Sequence, residues 1–312
     1  MKNGSNAIVD LVRGLRDEGY VFVTVSPETH RRVDARAHAR GGTAAASLRD
    51  VFGWSRPFRP ASIPERVLEL ARAADILTED GELLRSRIRV SSLNGQLYVH
   101  SAYPTLAEDA VFFGPDTYRY CGMVEQELAR GPRSKRLVDV GCGSGAGGLA
   151  AATGGRVEAV VLADINPSAL RLAKVNAALA GVAAEIVKSD VLAGVAGDFD
   201  VVISNPPYMA DPGARTYRDG GGHFGEQLAT RIAREALARL GSGGRLLLYT
   251  GAAIVDGVDT FRRAVAPVCE EAKVAWSYRE IDPDVFGDEI EDNDAYAAVE
   301  RIAAVALVAT IR

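Results

Sequence analysis

Beyond about residue 110 the apolar positions gather into short unbroken runs separated by longer amphipathic stretches. Runs rich in Val, Ile, Leu and Ala are what strands covered on both faces require. They predict strands over Arg136–Val140, Ala159–Ala163, Ala184–Lys188, Phe199–Ser204, the run "GRLLLYTG", Val274–Ile281 and Ala303–Ile311. Pro167–Ala180, entered through Asn166, and Gln227–Leu240 read as helices between them. Strand–helix alternation of this kind builds a doubly wound α/β sheet, whose ligands bind outside the carboxyl ends of the strands.

The first third follows a different pattern. Ile8, Leu11, Val12 and Leu15 fall on one face of a helix over 6–18. "YVFVTVSPETH" predicts a strand running into a turn at Ser26-Pro27, and Ile63–Leu77 a helix with Pro64 in its first turn. "LLRSRIRVSSLNGQLYVHS" alternates on both sides of Asn94-Gly95, a two-residue hairpin signal, which would set Arg85, Arg87 and Arg89 on one strand face. The shift in pattern predicts two domains: a smaller α+β unit over 1–110 that recognises the substrate, and an α/β unit over 111–312.

Composition narrows the class. With 47% hydrophobic and 25% charged residues the chain is an ordinary soluble one, and no apolar run is long enough to span a bilayer. "MKNGSNAIVD" lacks the apolar core of a signal peptide. Cys121, Cys142 and Cys269 have no metal-ligand spacing, and His30, His38, His100 and His223 are scattered. Together these features favour a cytoplasmic protein with neither a membrane partner nor a metal. The net charge of −5 hides a local basic stretch, in which Arg31, Arg32, Arg36, Arg40, Arg49, Arg56 and Arg59 meet only Asp34 and Asp50. That is weaker than a nucleic-acid arm. An acidic run follows late: Asp282, Asp284, Asp288, Glu289, Glu291, Asp292 and Asp294. It lies on the active-site rim if the sixth strand runs parallel to the core.

Chemistry-bearing residues recur at the strand ends. The first strand ends in "DVGCGSGAGG", Asp139–Gly148, where glycines let the backbone approach a ligand. This loop also fits a dinucleotide fingerprint, so alone it does not separate NAD from another adenosine cofactor. Asp164, followed by Ile165, ends the second strand and suits a pair of ribose hydroxyls. Asp190, followed by Val191, ends the third and suits an exocyclic amine. Either carboxylate in isolation reads equally as a helix cap. The fourth strand runs into Asn205-Pro206-Pro207-Tyr208, where two prolines end the ladder.

In that order, these motifs resemble class I S-adenosylmethionine-dependent methyltransferases carrying N-P-P-Y. Among these are the protein-glutamine N5, the adenine-N6 and the small-domain ribosomal RNA guanine-N2 enzymes. The resemblance covers roughly 111–312 and implies a Rossmann-like seven-stranded sheet with its last strand antiparallel. It implies that Asp139, Gly141, Cys142, Gly143 and Gly145 surround the methionine part of S-adenosylmethionine. Asp164 and Ile165 would meet the ribose side, and Asp190 and the Val191 backbone the adenine. Thr117, in "FFGPDTYRY", is the candidate contact to the methionine carboxylate. Asn205 and the Pro206 carbonyl would accept from a planar amino nitrogen, Pro207 would stiffen the turn, and Tyr208 would stack on the substrate.

Three readings of the activity stay open. One is N-methylation within the translation machinery, at a glutamine amide or an RNA base amine, with the basic stretch and the Arg85/Arg87/Arg89 face as docking surface. The second is N-methylation of a small metabolite, which the acidic run tolerates better. The third is a protein that binds an adenosine cofactor without catalysis, or an NAD enzyme, and the intact N-P-P-Y argues against both. After N-P-P-Y the chain reads "MADPGARTYRDGGGHFGEQLATRI", with Tyr217-Arg218-Asp219 before three glycines. That loop is expected to close over the substrate, and it departs from the glutamine-directed enzymes.

Overall fold

The computed structural model describes residues 4–39, 42, 45–211, 218–287, 290 and 293–312. The chain opens with α1 (Gly4–Asp17), which buries Leu11, Val12 and Leu15 as its spacing predicts. The stretch after it is extended but joins no paired strand, and Pro27 begins α2 (Pro27–Ala39) where a turn was expected. Proline suits a first helical position because its missing N–H has no partner there. Next come α3 (Leu48–Phe52) and α4 (Glu65–Ala73), with Pro64 at its N-cap. The helix α4 stops short of the expected Leu77 because Asp75 turns at φ +53° and Leu77 opens a strand.

Two hairpins follow, where one was expected. The first pairs β1 (Leu77–Asp80) with β2 (Leu83–Ser86). The second pairs β3 (Ile88–Leu93) with β4 (Gln96–Ser101) in the register Leu93↔Gln96, its turn made by Asn94-Gly95 at φ +50° and +75°. The chain breaks at Arg87, so the three arginines share no strand face. Arg85 pairs with Asp80 at 2.8 Å and Arg87 with Asp75 at 3.4 Å, while Arg89 is buried and donates to the Gly53 carbonyl at 2.8 Å. The expected docking face is therefore absent.

The remainder is the α/β sheet. After α5 (Pro115–Arg130) run β5 (Ser134–Val140), α6 (Ala146–Thr153), β6 (Val157–Asp164), α7 (Pro167–Ala180), β7 (Ala184–Lys188) and β8 (Val201–Ser204). Then come α8 (Gln227–Arg239), β9 (Arg245–Val255), a short β10 (Val258–Asp259), α9 (Thr260–Glu271), β11 (Ala275–Asp282) and β12 (Arg301–Thr310). The order is β11-β12-β9-β8-β5-β6-β7, with β10 paired to β9. Strands β7, β6, β5, β8 and β9 are parallel, and β12 lies antiparallel between β9 and β11. This leaves β11 parallel to the core, so its end at Asp282 reaches the rim where ligands bind. Of the acidic run, residues 288, 289, 291 and 292 lie outside the described residues.

Buried apolar side chains fill both faces of the sheet. A third cluster joins α1, α4 and β3 to Val175 and Leu179 of α7, so the N-terminal segment packs directly on the sheet's helical layer. Asn176, 1% exposed, fixes that junction. Its Oδ1 accepts from the Val99 N–H at 2.8 Å, and its Nδ2 donates to the Val99 and Ser144 carbonyls at 3.0 and 2.9 Å.

Candidate active site

The carboxyl ends of β5, β6 and β8 open into a cavity of about 700 Å³, which Pro27, Arg31, Tyr103 and Leu106 of the N-terminal segment also line. Most of the residues expected at the cofactor do meet there. Thr117, Gly141, Cys142, Gly143, Asp164, Ile165, Asp190, Val191, Asn205, Pro206, Pro207 and Tyr208 all line it. Asp139 and Gly145 do not. Asp139 is 1% exposed beneath the glycine loop, where it accepts from the Gly148 N–H at 2.8 Å and the Tyr120 hydroxyl at 2.9 Å. Burial pushes its carboxyl up to about 7. Gly145 caps α6, facing Leu162. Both residues support the loop.

The loop is shaped by its hydrogen bonds. Gly141 and Cys142 donate to the Ala163 carbonyl at 2.9 and 3.0 Å, tying the tip of β5 to β6. Gly143, at φ +54°, turns its N–H onto Asp164 Oδ2 at 2.8 Å. The other oxygen of Asp164 accepts from the Asn166 N–H at 2.9 Å. Backbone donors on both oxygens orient the carboxylate, and its remaining lone pairs suit the two hydroxyls of a ribose. Burial raises the Asp164 carboxyl above its ordinary value.

At the third strand end, Val191 takes φ +48°, a strained conformation for a β-branched residue. Ser189 holds it there, donating to the Val191 carbonyl at 2.8 Å and accepting from the Gly194 N–H at 2.9 Å. The Val191 N–H has no partner among the described residues, and the residue lines the cavity. Asp190 lines the cavity as expected but is not free. Arg231 of α8 takes both its oxygens in a bidentate pair at 2.9 Å each. Only its outer lone pairs are left to accept from another donor. Thr117 also has a structural task, since its hydroxyl accepts from the Gly114 N–H at 3.2 Å and caps α5.

N-P-P-Y carries β8 into the cavity. The Asn205 side chain is half-buried, and among the described residues its amide has no hydrogen-bond partner. Pro206 is buried beside it. Tyr208 is not the free stacking phenol its motif suggests. It is 8% exposed, meets Phe286 edge-on at 6.0 Å and donates its hydroxyl to Asp116. Gly251 makes room for the ring, because a Cβ there would come within 2.2 Å of it. Asp116 is 2% exposed and also receives the Tyr249 hydroxyl at 2.8 Å and Arg119 at 3.1 Å, and Arg119 pairs with Asp282 at 2.7 Å. Burial raises the Asp116 carboxyl, its donors pulling the other way.

The loop after the motif folds back on it: Gly220 N–H donates to the Met209 carbonyl at 2.9 Å and Met209 N–H to the Arg218 carbonyl at 3.1 Å. Arg218 and Asp219 line the cavity, whereas Tyr217 falls outside the described residues. Asp116, Tyr249 and Asn176 escape a motif-based reading. Tyr249 alone left a signal, a phenol inside the apolar run "LLLYTG" that needs a buried partner.

A parallel sheet with an antiparallel strand inserted beside its last parallel member, a glycine loop and a carboxylate at successive tips define a Rossmann-like methyltransferase. The comparisons agree. The model of the methyltransferase small domain matches residues 123–255. Release factor glutamine methyltransferase of Deinococcus radiodurans is 31% identical over 229 residues, 70% of this chain and 77% of that protein. Ribosomal RNA small subunit methyltransferase C of Chromohalobacter salexigens is 36% identical over 121 residues, 39% of this chain and 33% of that protein. Among solved structures, a transferase from Pyrococcus horikoshii superposes with a TM-score of 0.52 at 13% identity, over 92% of this chain and 84% of that one. Trm5b of Pyrococcus abyssi superposes with 0.50 at 16% identity, over 75% and 62%. These two show the fold. The chain belongs to the S-adenosylmethionine-dependent methyltransferases of the small-domain family. It is an enzyme of that class, and S-adenosylmethionine is its cofactor.

Proposed function

We propose that this enzyme methylates a planar amino nitrogen of the translation machinery, a glutamine side-chain amide in a protein. The observation that carries the reading is the unpartnered Asn205 amide, next to the buried Pro206, on the wall of the same cavity as the glycine loop. The relative with the longer match is named for release-factor glutamine methylation, whereas the ribosomal RNA methyltransferase matches over a third of its own length.

S-adenosylmethionine supplies an electrophilic methyl on sulfonium. Gly141 and Gly143 would bring the backbone to its amino-acid end, Asp164 would take the ribose, and the Val191 N–H would meet the adenine edge. An amide nitrogen is a poor nucleophile because its lone pair is delocalised. The Asn205 side-chain oxygen and the Pro206 carbonyl accept its two N–H groups, favour pyramidal nitrogen and aim the lone pair at the methyl. Proline fixes its carbonyl before substrate arrives, which is electrostatic preorganisation. As the N–CH3 bond forms the S–CH3 bond breaks and S-adenosylhomocysteine is left, and the now cationic nitrogen loses its acidic proton to solvent, so the site needs no strong base.

The test is methyl transfer from labelled S-adenosylmethionine to purified release factors, ribosomal proteins and ribosomal RNA, with mass spectrometry locating the product. A methyl group on a glutamine amide is the expected outcome. Label confined to RNA, or to small molecules of a cell extract, would refute the reading.

A further inference from the structure

The extended segment between α1 and α2 belongs to no sheet, yet it has the alternation of a sheet edge. Tyr20, Phe22 and Thr24 are buried. Phe22 donates its N–H to Ser92 Oγ at 3.0 Å and accepts the Ser92 N–H at 2.7 Å, and the Thr24 N–H donates to the Tyr118 hydroxyl at 3.0 Å. Val21 and Val23 face outward, 60% and 58% exposed. Among the described residues, nothing pairs with the N–H or carbonyl of either. Proteins normally blunt such an edge with charge, proline or a covering element. This one instead presents two uncharged β-branched side chains, the kind a pleated surface packs well.

The edge is continuous with the catalytic cavity. Beyond Ser26 the chain passes to Pro27 and Arg31, which line that cavity. Tyr118, which holds Thr24, follows Thr117 on the cavity wall. Building on the protein-amide reading, we propose that Tyr20–Ser26 takes an extended stretch of the acceptor polypeptide as an added strand, which leads the target side chain into the cavity. Main-chain bonds at Val21 and Val23 would give affinity, and the valine side chains would sort alternate residues of the guest. An RNA strand has no alternating N–H and C=O groups to answer them.

The test uses the full chain saturated with S-adenosylhomocysteine. Short labelled peptides tiled through the release factors and ribosomal proteins of Deinococcus radiodurans are titrated by fluorescence anisotropy, beside a short RNA of mixed sequence. Val23→Pro removes an outward N–H and keeps the extended backbone. It should weaken the tightest peptide about tenfold, the worth of one good hydrogen bond, and leave S-adenosylhomocysteine affinity unchanged. N-methylating that peptide at alternate residues should weaken it in one phase and not in the other. Peptide binding unmoved by both changes overturns the edge, as does RNA binding with no peptide binding. In a parallel transfer assay, glutamine methylation indifferent to Val23→Pro overturns the edge alone. Methylation of RNA only overturns the amide reading as well.

Discussion

The Tyr208 hydroxyl donates to the carboxylate of Asp116, which stands 92 residues earlier in the chain. The last residue of N-P-P-Y is thereby anchored to the first turn of α5, whose Thr117 lines the same cavity. The bond holds the ring at one depth in the wall and joins the motif, through Arg119, to Asp282 at the end of β11.

Tyr208→Phe should therefore cost stability as well as rate. One hydrogen bond to a buried carboxylate is lost, about 1–3 kcal/mol, while Tyr249 and Arg119 keep Asp116 partnered. Asp116→Ala leaves the two buried phenols without their acceptor and Arg119 paired with Asp282 alone, and should cost about 3–5 kcal/mol. Urea denaturation of the three proteins ranks them, and equal midpoints would show that the anchor contributes nothing.

Asn205→Ala should lower kcat by about 10²–10³, the usual effect of removing one preorganised hydrogen bond at a reacting centre. Calorimetry with S-adenosylhomocysteine should give near wild-type affinity. A folded Asn205→Ala enzyme turning over at the wild-type rate would leave N-P-P-Y as no more than a loop.

For Asp164→Ala, S-adenosylhomocysteine should bind about 10–100-fold more weakly, since the ribose loses its acceptors and Gly143 loses the bond that shapes the loop. NAD should show no tight binding to either protein in the same calorimeter.

The buried Asp139 ties stability to pH. Its carboxyl titrates at about 7 in the folded chain against an ordinary 3.8, so between those limits the folded state holds a proton that the unfolded state has lost. This group accordingly makes stability fall as pH rises from about 4 to about 7. Thermal midpoints measured across that window should decline less steeply in Asp139→Asn than in wild type. Parallel curves would place the titration elsewhere.

Arg89→Glu should destabilise the fold, because the residue is 5% exposed and lies 5.6 Å over the Phe22 ring. Arg87→Glu, on the surface, should stay within about 1 kcal/mol, and Arg85→Glu, half-buried with a 2.7 Å bond to the Ser55 carbonyl, should fall between the two. Circular dichroism melts separate these outcomes, and three equal melts would contradict the burial of Arg89.

The sequence by itself determined the sheet. Unbroken apolar runs suit strands covered on both faces, as in Val201–Ser204, and an Asn166 cap followed by Pro167 marks a helix start, so Pro167–Ala180 could be read to the residue. It also indicated which tips line the cavity, because strand ends, glycines and carboxylates stand close together in the chain. Tertiary structure decided what those residues face. Asp139 and Asp164 both follow apolar runs, yet one is sealed beneath the loop and the other opens on the cavity. Arg85, Arg87 and Arg89 alternate as a strand would, but the chain turns at Arg87 and drives the third inward. Asp116 and Tyr249 meet across 133 positions, and Asn176 joins a hairpin to the glycine loop. Such pairings depend on how layers stack and on which buried polar atoms must find partners, and local spacing carries neither.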